Sequence, residues 1–221
     1  MVRGVLEFIT DPSNGYLAHT LSYLNLCATS IVLALFIGVA LGVAVVRRPV
    51  LAFLAVNVSG LMRAVPVIVF LALALPYLGL GFIPAVVALT ILGIPPILLN
   101  TYTGIRGIDP AIVDAARGMG MTPRQIATRI QVPLVLPVIA AGVRTSAVQV
   151  VATATLAAII GAGGYGDYIL AGLYQVDAIQ ILAGAVPVAV LALVIELALG
   201  FVQRIVTPAG LRVPVSGEAG A

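Results

Sequence analysis

Few side chains in this sequence could carry out chemistry, and their spacing does not favour a catalytic site. There is one cysteine, Cys27, and one histidine, His19, so an internal disulfide and a metal site built from cysteines are excluded. We interpret Cys27 as a packed thiol and His19 as an interfacial imidazole. There are no paired carboxylates, no Ser/His/Asp set and no Gly-x4-Gly-Lys-Ser/Thr phosphate loop. The sequence therefore predicts no catalytic residues, no metal and no cofactor bound by this chain.

Arg144 and Glu196 are ionisable residues that stand within long apolar segments. Such residues are costly in a bilayer and usually face the interior of a helix bundle. At 1.5 Å per residue, Arg144 and Glu196 both lie about 12–16 Å from the charged or proline-marked ends of their segments, in the same half of the membrane. We predict that Glu196 pairs with Arg144 or with Arg63. The pair would be either a static structural contact or a gate that breaks and re-forms.

Uncharged polar residues also interrupt the apolar segments. Gln149 and Thr153 are four residues apart and share one face of a helix. Together with Asn100 they would either line a translocation path or form hydrogen bonds with neighbouring helices. The glycine run 161–166 is not interpreted as a dinucleotide loop, because it follows an apolar segment and not a strand. We predict a flexible outer gate or a re-entrant turn there.

Composition indicates which elements must hold these residues. The chain is 62% hydrophobic and only 9% charged, whereas a soluble domain is roughly half apolar and a quarter charged. Uncharged stretches of about 20 residues can cross a bilayer. We predict an all-α integral membrane protein, with residues 1–206 forming one transmembrane domain and 207–221 a flexible tail. About five spans are expected, at roughly 24–46, 58–77, 83–104, 134–160 and 178–203.

The distribution of arginines predicts the orientation. All basic residues are arginine, and with five spans almost all of those outside the spans fall on one side, with Arg3 on the other. Positive residues are retained in the cytoplasm, so the N-terminus is predicted outside and the C-terminus in the cytoplasm. The arginines form no stripe, which argues against nucleic acid as a partner. The outer loops contain the tyrosines expected at an interface: Tyr77, Tyr165, Tyr168 and Tyr174.

The loop 105–133 is predicted to be cytoplasmic and to contain two short helices. Asp109 and Thr122 are N-cap residues, each followed by a proline at the first helical position. Gln125 completes a capping box with Thr122. Gly118 and Gly120 can supply the positive φ that ends the first helix. This first helix carries small apolar residues, so it is either a docking knob for another protein or a helix packed on its own bundle.

The same loop resembles the cytoplasmic signature of ABC-importer permeases. Asp114-Ala115-Ala116, then Gly120, Ile130 and Val132-Pro133, fall on the spacing Glu-Ala-Ala, three residues, Gly, nine residues, Ile, one residue, Leu-Pro. The resemblance implies that loop 105–133, the coupling loop, inserts its first helix into a cleft on a separate ATPase subunit. Asp114 is shorter than the family's glutamate, so that carboxylate's contact is not transferred. The coupling residues implied are Asp114, Ala115, Ala116, Gly118, Gly120, Ile130 and Pro133.

Segments on both sides of the coupling loop resemble permeases of osmoprotectant importers. These segments are Asn100–Ile105, Thr153–Ala157 and Gly161–Asp167. The resemblance implies a compatible solute such as glycine betaine, carnitine, choline or proline. A methionine-type amino-acid importer is the nearest alternative, and an ATP-independent channel or secondary transporter is the alternative from another class.

The same resemblance implies an assembly in a prokaryotic inner or plasma membrane. Two permease subunits, identical or paralogous, would face each other, each docked on an ATPase that binds ATP and magnesium. A solute-binding protein outside the cytoplasm would deliver the solute, and lipid would surround the bundle. The chain has no tryptophan, the best aromatic face for a quaternary ammonium group. Substrate choice is therefore expected to lie mainly with the binding protein.

Overall fold

The computed structural model describes residues 1–208 and is helical along nearly all of them. The predicted tail lies, from residue 209 onwards, outside the described residues. In the described part, the α-helices are α1 (Val2–Thr10), α2 (Tyr16–Val45), α3 (Pro49–Ala64), α4 (Val67–Leu78), α5 (Phe82–Arg106), α6 (Pro110–Gly118), α7 (Pro123–Ile126), α8 (Val132–Thr153), α9 (Tyr165–Gln175) and α10 (Ala178–Val206). Two 3₁₀ segments, Pro12–Asn14 and Ala154–Ile160, and a π-helical segment, Ala127–Gln131, complete the helical structure.

Four helical segments within residues 1–208 are long and apolar enough to cross a membrane: Pro12–Val45, Phe82–Arg106, Pro123–Ile160 and Ala178–Val206. The bent pair formed by α3 and α4 would make a fifth. This confirms the all-α class with about five spans. Helix α2 has 30 residues, so its length of about 45 Å exceeds a hydrocarbon core of about 30 Å. Part of α2 must therefore extend beyond the core.

The predicted span 58–77 is not one continuous helix. Helix α3 ends at Ala64, helix α4 begins at Val67, and their axes are bent by 96°. Pro66 causes the break, because it has no N–H to donate and its ring disfavours a helical conformation at the preceding residue. Val65 accordingly adopts an extended conformation, with φ −79° and ψ 124°. Proline stereochemistry thus outweighs the uniform hydrophobicity from which the single span was predicted.

Helix α5 is the centre of the bundle, and helices α2 and α8 pack on it. A Cβ atom added at Gly42 of α2 would lie 2.5 Å from the Cβ atom of Thr101 on α5. At Gly38, one turn earlier, it would lie 2.8 Å from Ile97 Cβ. Small residues spaced four apart let membrane helices approach closely. This close approach fixes α2 along the buried helix α5.

The outer segments are more ordered than the sequence suggested. Residues 2–10, which precede the first predicted span, form helix α1, which packs on α10. The outer loop predicted to carry Tyr165, Tyr168 and Tyr174 contains helix α9, which also packs on α10. The prediction that these three tyrosines lie in a loop is therefore wrong, whereas the flexible gate or re-entrant turn at 161–166 stays a prediction. Tight backbone contact explains the order, because Gly172 of α9 has no room for a Cβ atom beside Ile181 of α10.

Candidate functional site

The coupling loop contains the two short helices that the sequence predicts. Helix α6 is capped by Asp109, whose Oδ1 accepts a hydrogen bond from the backbone N–H of Ala111 at 2.9 Å. Helix α7 begins with the predicted capping box. The Gln125 N–H donates to Thr122 Oγ1, and the Thr122 N–H donates to Gln125 Oε1 at 2.8 Å. Both helix starts are therefore fixed by side chains close in sequence.

Helix α6 ends in a Schellman motif. The Met121 N–H donates to the Ala116 carbonyl at 3.1 Å, and the Gly120 N–H donates to the Arg117 carbonyl at 2.9 Å. Gly120 has φ +79°, in the left-handed region, as predicted. Gly118 is instead the last residue of α6 and is not needed for a positive φ. The sharp stop after α6 separates the two helices of the loop.

Most of the surface of α6 has no partner within residues 1–208. Seven of its nine residues are exposed, including Asp114 and Ala115. Ala116 is fully buried, and α6 packs against α7. Asp114 forms an exposed ion pair with Arg117 at 3.2 Å. The two alanines of the signature therefore face opposite environments: Ala116 anchors the helix, and Ala115 is available for contact.

The last residues of the signature lie in the π-helical segment and at the start of α8. Ile130 lies within this segment and Pro133 near the start of α8, and both are partly buried. The N–H of Val132 donates to the carbonyl of Ala127, five residues earlier. Pro133 favours this wider winding, because its ring would clash with the carbonyl of Arg129 in a regular α-helix. The coupling loop is thus joined without a break to the span formed by α8.

Arg144 of α8 and Glu196 of α10 form an ion pair, whereas Arg63 does not take part in it. Both paired side chains are 37% exposed, and Gly200 leaves space beside the Arg144 guanidinium. The pair lines a cavity of about 440 Å³ together with Gln203 and other residues near the end of α10. Arg63 is exposed at the end of α3 and makes no ion pair within residues 1–208.

The three candidate path residues do not converge on one point. Thr153 Oγ1 donates to the Gln149 carbonyl at 2.7 Å, so these two share one face of α8, as predicted. Asn100 Nδ2 donates to the Pro96 carbonyl within α5. The side chain of Asn100 packs against Gly142 of α8, about 10 Å along the helix from Gln149. The hydrogen bonds donated by Thr153 and Asn100 go to carbonyls of their own helices, and neither bond joins two helices.

An outer aromatic cluster was not predicted from the sequence. It consists of Phe8, Tyr16, His19, Tyr23, Tyr165 and Tyr168. Tyr165 and Tyr168, which were expected at the interface, are buried, whereas Tyr77 and Tyr174 are 86% and 84% exposed. The spacing of Tyr16, His19, Thr20 and Tyr23 places all four on one face of α2. This helical spacing is the feature of the sequence from which the cluster could have been predicted.

Hydroxyl groups tie the outer aromatic cluster to the backbone of other elements. Tyr16 donates to the Ala183 carbonyl of α10 at 2.9 Å, and Tyr168 donates to the Asn14 carbonyl at 2.7 Å. Tyr23 donates to the Val151 carbonyl of α8. The cluster therefore joins α2, α8, α9 and α10.

His19 and Asp167 form the polar edge of this cluster. The Nδ1 atom of His19 lies 3.3 Å from Asp167 Oδ2 and 3.2 Å from the Gly164 carbonyl oxygen. Burial raises the pKa of Asp167, and the nearby His19 acts in the opposite direction. Within residues 1–208, no group of three or more His, Cys, Asp and Glu side chains is arranged to hold a metal ion.

Comparison with known proteins identifies a family and several relatives that are named as transport permeases. Residues 30–210 match the family described as "Binding-protein-dependent transport system inner membrane component". The carnitine transport permease protein OpuCB of Listeria monocytogenes is 39% identical over 208 residues, covering 94% of this chain and 95% of that protein. The choline transport system permease protein OpuBB of Bacillus subtilis is 38% identical, covering 94% and 96%. The osmoprotectant import permease protein OsmW of Salmonella typhimurium is 37% identical, covering 90% and 95%.

Solved structures show the same fold. A chain of the MetNI methionine ABC transporter, solved in inward-facing conformations, superposes with a TM-score of 0.76. It is 21% identical in sequence, and the match covers 90% of this chain and 100% of that chain. At this level of identity the likeness concerns the fold.

Proposed function

Since this chain belongs to the family of inner-membrane components of binding-protein-dependent transport systems, we propose that it forms half of an import pathway for a compatible solute. Like its relatives, the chain is a membrane permease subunit and not an enzyme. The solutes that we propose are glycine betaine, carnitine, choline and proline. The observation that carries this choice is the 37–39% identity, over at least 90% of the chain, to permeases named for carnitine, choline and osmoprotectants.

The methionine alternative has weaker support. The methionine transporter resembles this chain at 21% identity, which indicates a shared architecture without indicating a shared solute. An ATP-independent channel is disfavoured by family membership, which implies ATPase partners and a second permease subunit. We propose that the ATPase binds ATP and magnesium, and that a solute-binding protein outside the cytoplasm delivers the solute.

Transport assays would test the solute assignment. The permease would be reconstituted in vesicles with its ATPase and binding protein, and uptake of labelled glycine betaine, carnitine, choline, proline and methionine would be measured with and without ATP. We expect ATP-dependent uptake of at least one compatible solute and none of methionine. Uptake of methionine alone, or equal uptake by the permease without the ATPase, would refute the assignment.

We further propose that α6 is the helix that docks on the ATPase. Its N-cap and its Schellman motif fix both ends, so the helix is preformed before any partner binds. A preformed helix loses little conformational entropy on binding. Its exposed face includes Ala115 and Met119, whose small or flexible side chains suit insertion into a cleft. Asp114 is held by Arg117 at the edge of this face.

The docking proposal can be tested by introducing a bulky charge on the exposed face of α6. We expect Ala115→Arg to abolish co-purification of the ATPase while the permease remains folded. Ala178→Arg is the matched control, because Ala178 is also exposed but lies at the start of α10, at the opposite end of the bundle. Undiminished association of the Ala115→Arg variant would disprove docking through this face. Ala116 is a poor target, because it is buried and its replacement would disturb folding.

The Arg144–Glu196 pair is proposed to face the second permease or the import pathway. A charged pair that is 37% exposed would be costly against lipid tails, so this surface needs a polar or protein environment. Removing one partner leaves a charge uncompensated. We expect Glu196→Gln to lower transport, and an Arg144→Gln/Glu196→Gln double variant to recover part of it if the contact is structural. Wild-type assembly and transport in the Glu196→Gln variant would contradict a role for the pair.

A further inference from the structure

Two neighbouring cavities open where the turn between α2 and α3 meets the end of α5. The first has a volume of about 620 Å³ and is bounded by that turn, by α3 and by α5. Its polar lining is formed by Arg47, Asn57, Tyr102 and Arg106. Two guanidinium groups from separate elements thus border one space. The Tyr102 hydroxyl is a further potential hydrogen-bond donor to an anion.

The second cavity is an apolar groove of about 440 Å³ between α2 and the start of α8. Its walls include Val43, Val135 and Leu136. Val46 and Arg47 line both cavities. A cavity lined by arginines and a groove lined almost entirely by hydrocarbon therefore lie side by side, with Arg47 bordering both.

The positive charge of this region has no acidic partner among residues 1–208. Among the described residues, no aspartate or glutamate lines either cavity. Within residues 1–208, neither Arg47 nor Arg106 forms an ion pair. The arginine distribution assigns this end of the bundle to the cytoplasmic face, where anionic lipids attract basic side chains and basic clefts between spans bind anionic headgroups.

We propose that the paired cavities bind one anionic phospholipid. Its phosphate lies between Arg47 and Arg106, and one acyl chain lies along the groove beside Val135 and Leu136. A free phosphate would satisfy the arginines but would leave the adjoining groove empty, whereas a phospholipid matches both chambers. The site is independent of the transported solute. It touches the π-helical segment of the coupling loop through Ala127 and Gln131.

Lipid retention by the purified full-length permease tests this site. The chain would be placed in nanodiscs of phosphatidylcholine with increasing phosphatidylglycerol, and bound phosphatidylglycerol would be counted by native mass spectrometry after release. We expect Arg47→Gln and Arg106→Gln each to weaken retention about fivefold. Arg48→Gln is the matched control, because Arg48 is the exposed neighbour of Arg47 but lines neither cavity. It should retain the lipid as the wild type does.

A second variant tests the groove without removing charge. Leu136 is 40% exposed, so Leu136→Gln should fold, and it should also weaken phosphatidylglycerol retention. Wild-type retention in the Arg47→Gln/Arg106→Gln variant would refute the proposal. So would arginine-dependent binding of inorganic phosphate combined with unchanged lipid retention in Leu136→Gln, which would indicate a free-phosphate site. Loss of ATPase association with unchanged lipid retention would assign the arginines to protein docking instead.

Discussion

The two ends of the helix bundle are stabilised in different ways. At the end predicted from the arginine distribution to lie outside, tyrosine hydroxyls of the outer aromatic cluster donate to backbone carbonyls on other elements, such as Ala183 and Asn14. In the coupling loop, the capping bonds of Asp109 and Thr122 are made within three residues. The outer end is therefore held by tertiary contacts, whereas the coupling loop is shaped locally and keeps its surface free. Because the capping bonds do not use the exposed face of α6, that face stays available to a partner.

The largest effect should come from the centre of the outer aromatic cluster. Tyr23 is fully buried, and Tyr23→Ala should lower the free energy of unfolding by about 3–5 kcal/mol through lost burial and the cavity left behind. The measurement is thermal or denaturant unfolding in detergent. Tyr174→Ala is the control, since Tyr174 is 84% exposed, and it should change little. Equal effects of the two variants would show that the cluster does not stabilise the outer end.

A smaller loss is expected in the coupling loop. Thr122→Ala removes the capping box, which should destabilise α7 by about 0.5–2 kcal/mol. Because the loop is shaped locally, the effect should appear as faster amide hydrogen exchange within α7 and leave the global unfolding midpoint nearly unchanged. Thr128→Ala is the control, because Thr128 Oγ1 only bonds back to the Arg124 carbonyl. A drop in global stability as large as that of Tyr23→Ala would contradict the contrast between the ends.

Removing one hydroxyl from the outer aromatic cluster should have an effect of similar or smaller size. Tyr168→Phe deletes the bond to the Asn14 carbonyl but keeps the stacked ring, so a loss of about 0.5–1.5 kcal/mol is expected. Unlike Thr122→Ala, it should lower the midpoint of global unfolding. Faster exchange confined to residues 12–14, with no change in the midpoint, would mean that this bond is local after all.

The smallest effect is a pH dependence at the outer end, with opposite signs for two carboxylates. Burial raises the pKa of Asp167, so its contribution to stability is greatest below the ordinary aspartate pKa and is lost as pH rises through the raised value. Hydrogen bonds from Ser13 lower the pKa of Asp11, so its contribution is present above the ordinary pKa and is lost as pH falls through the lowered value. Unfolding measured against pH for Asp167→Asn and Asp11→Asn, relative to wild type, should give slopes of opposite sign. Parallel slopes would contradict these environments.

The sequence was sufficient where structure is local. Asp109 and Thr122 predicted both helix starts in the coupling loop, because capping depends on residues two or three positions away. Counting residues from Pro133 and Arg204 placed Arg144 and Glu196 at a similar depth, and the structure pairs them. Residue counting could not show that Glu196 pairs with Arg144 and not with Arg63, because this depends on how the spans are arranged.

The sequence was insufficient where structure is tertiary. Tyr165 and Tyr168 follow a glycine run and were expected to be interfacial, but packing against α2 buries them. Pro66, at the 96° bend between α3 and α4, can be read from the sequence, but the size of the bend angle cannot. The burial of the tyrosines depends on tertiary packing, and neither that burial nor the bend angle can be read from hydropathy or from local spacing.

The bend at Pro66 also gives the α3–α4 pair a mechanical property. Helix α4 has 12 residues and is therefore a rigid arm of about 18 Å. A change of about 10° at the bend, with α3 held in place, moves the far end of α4 by about 3 Å, which is more than half the rise of one helical turn. A small angular change at the bend would therefore displace the end of α4 far enough to exchange one set of side-chain contacts for another.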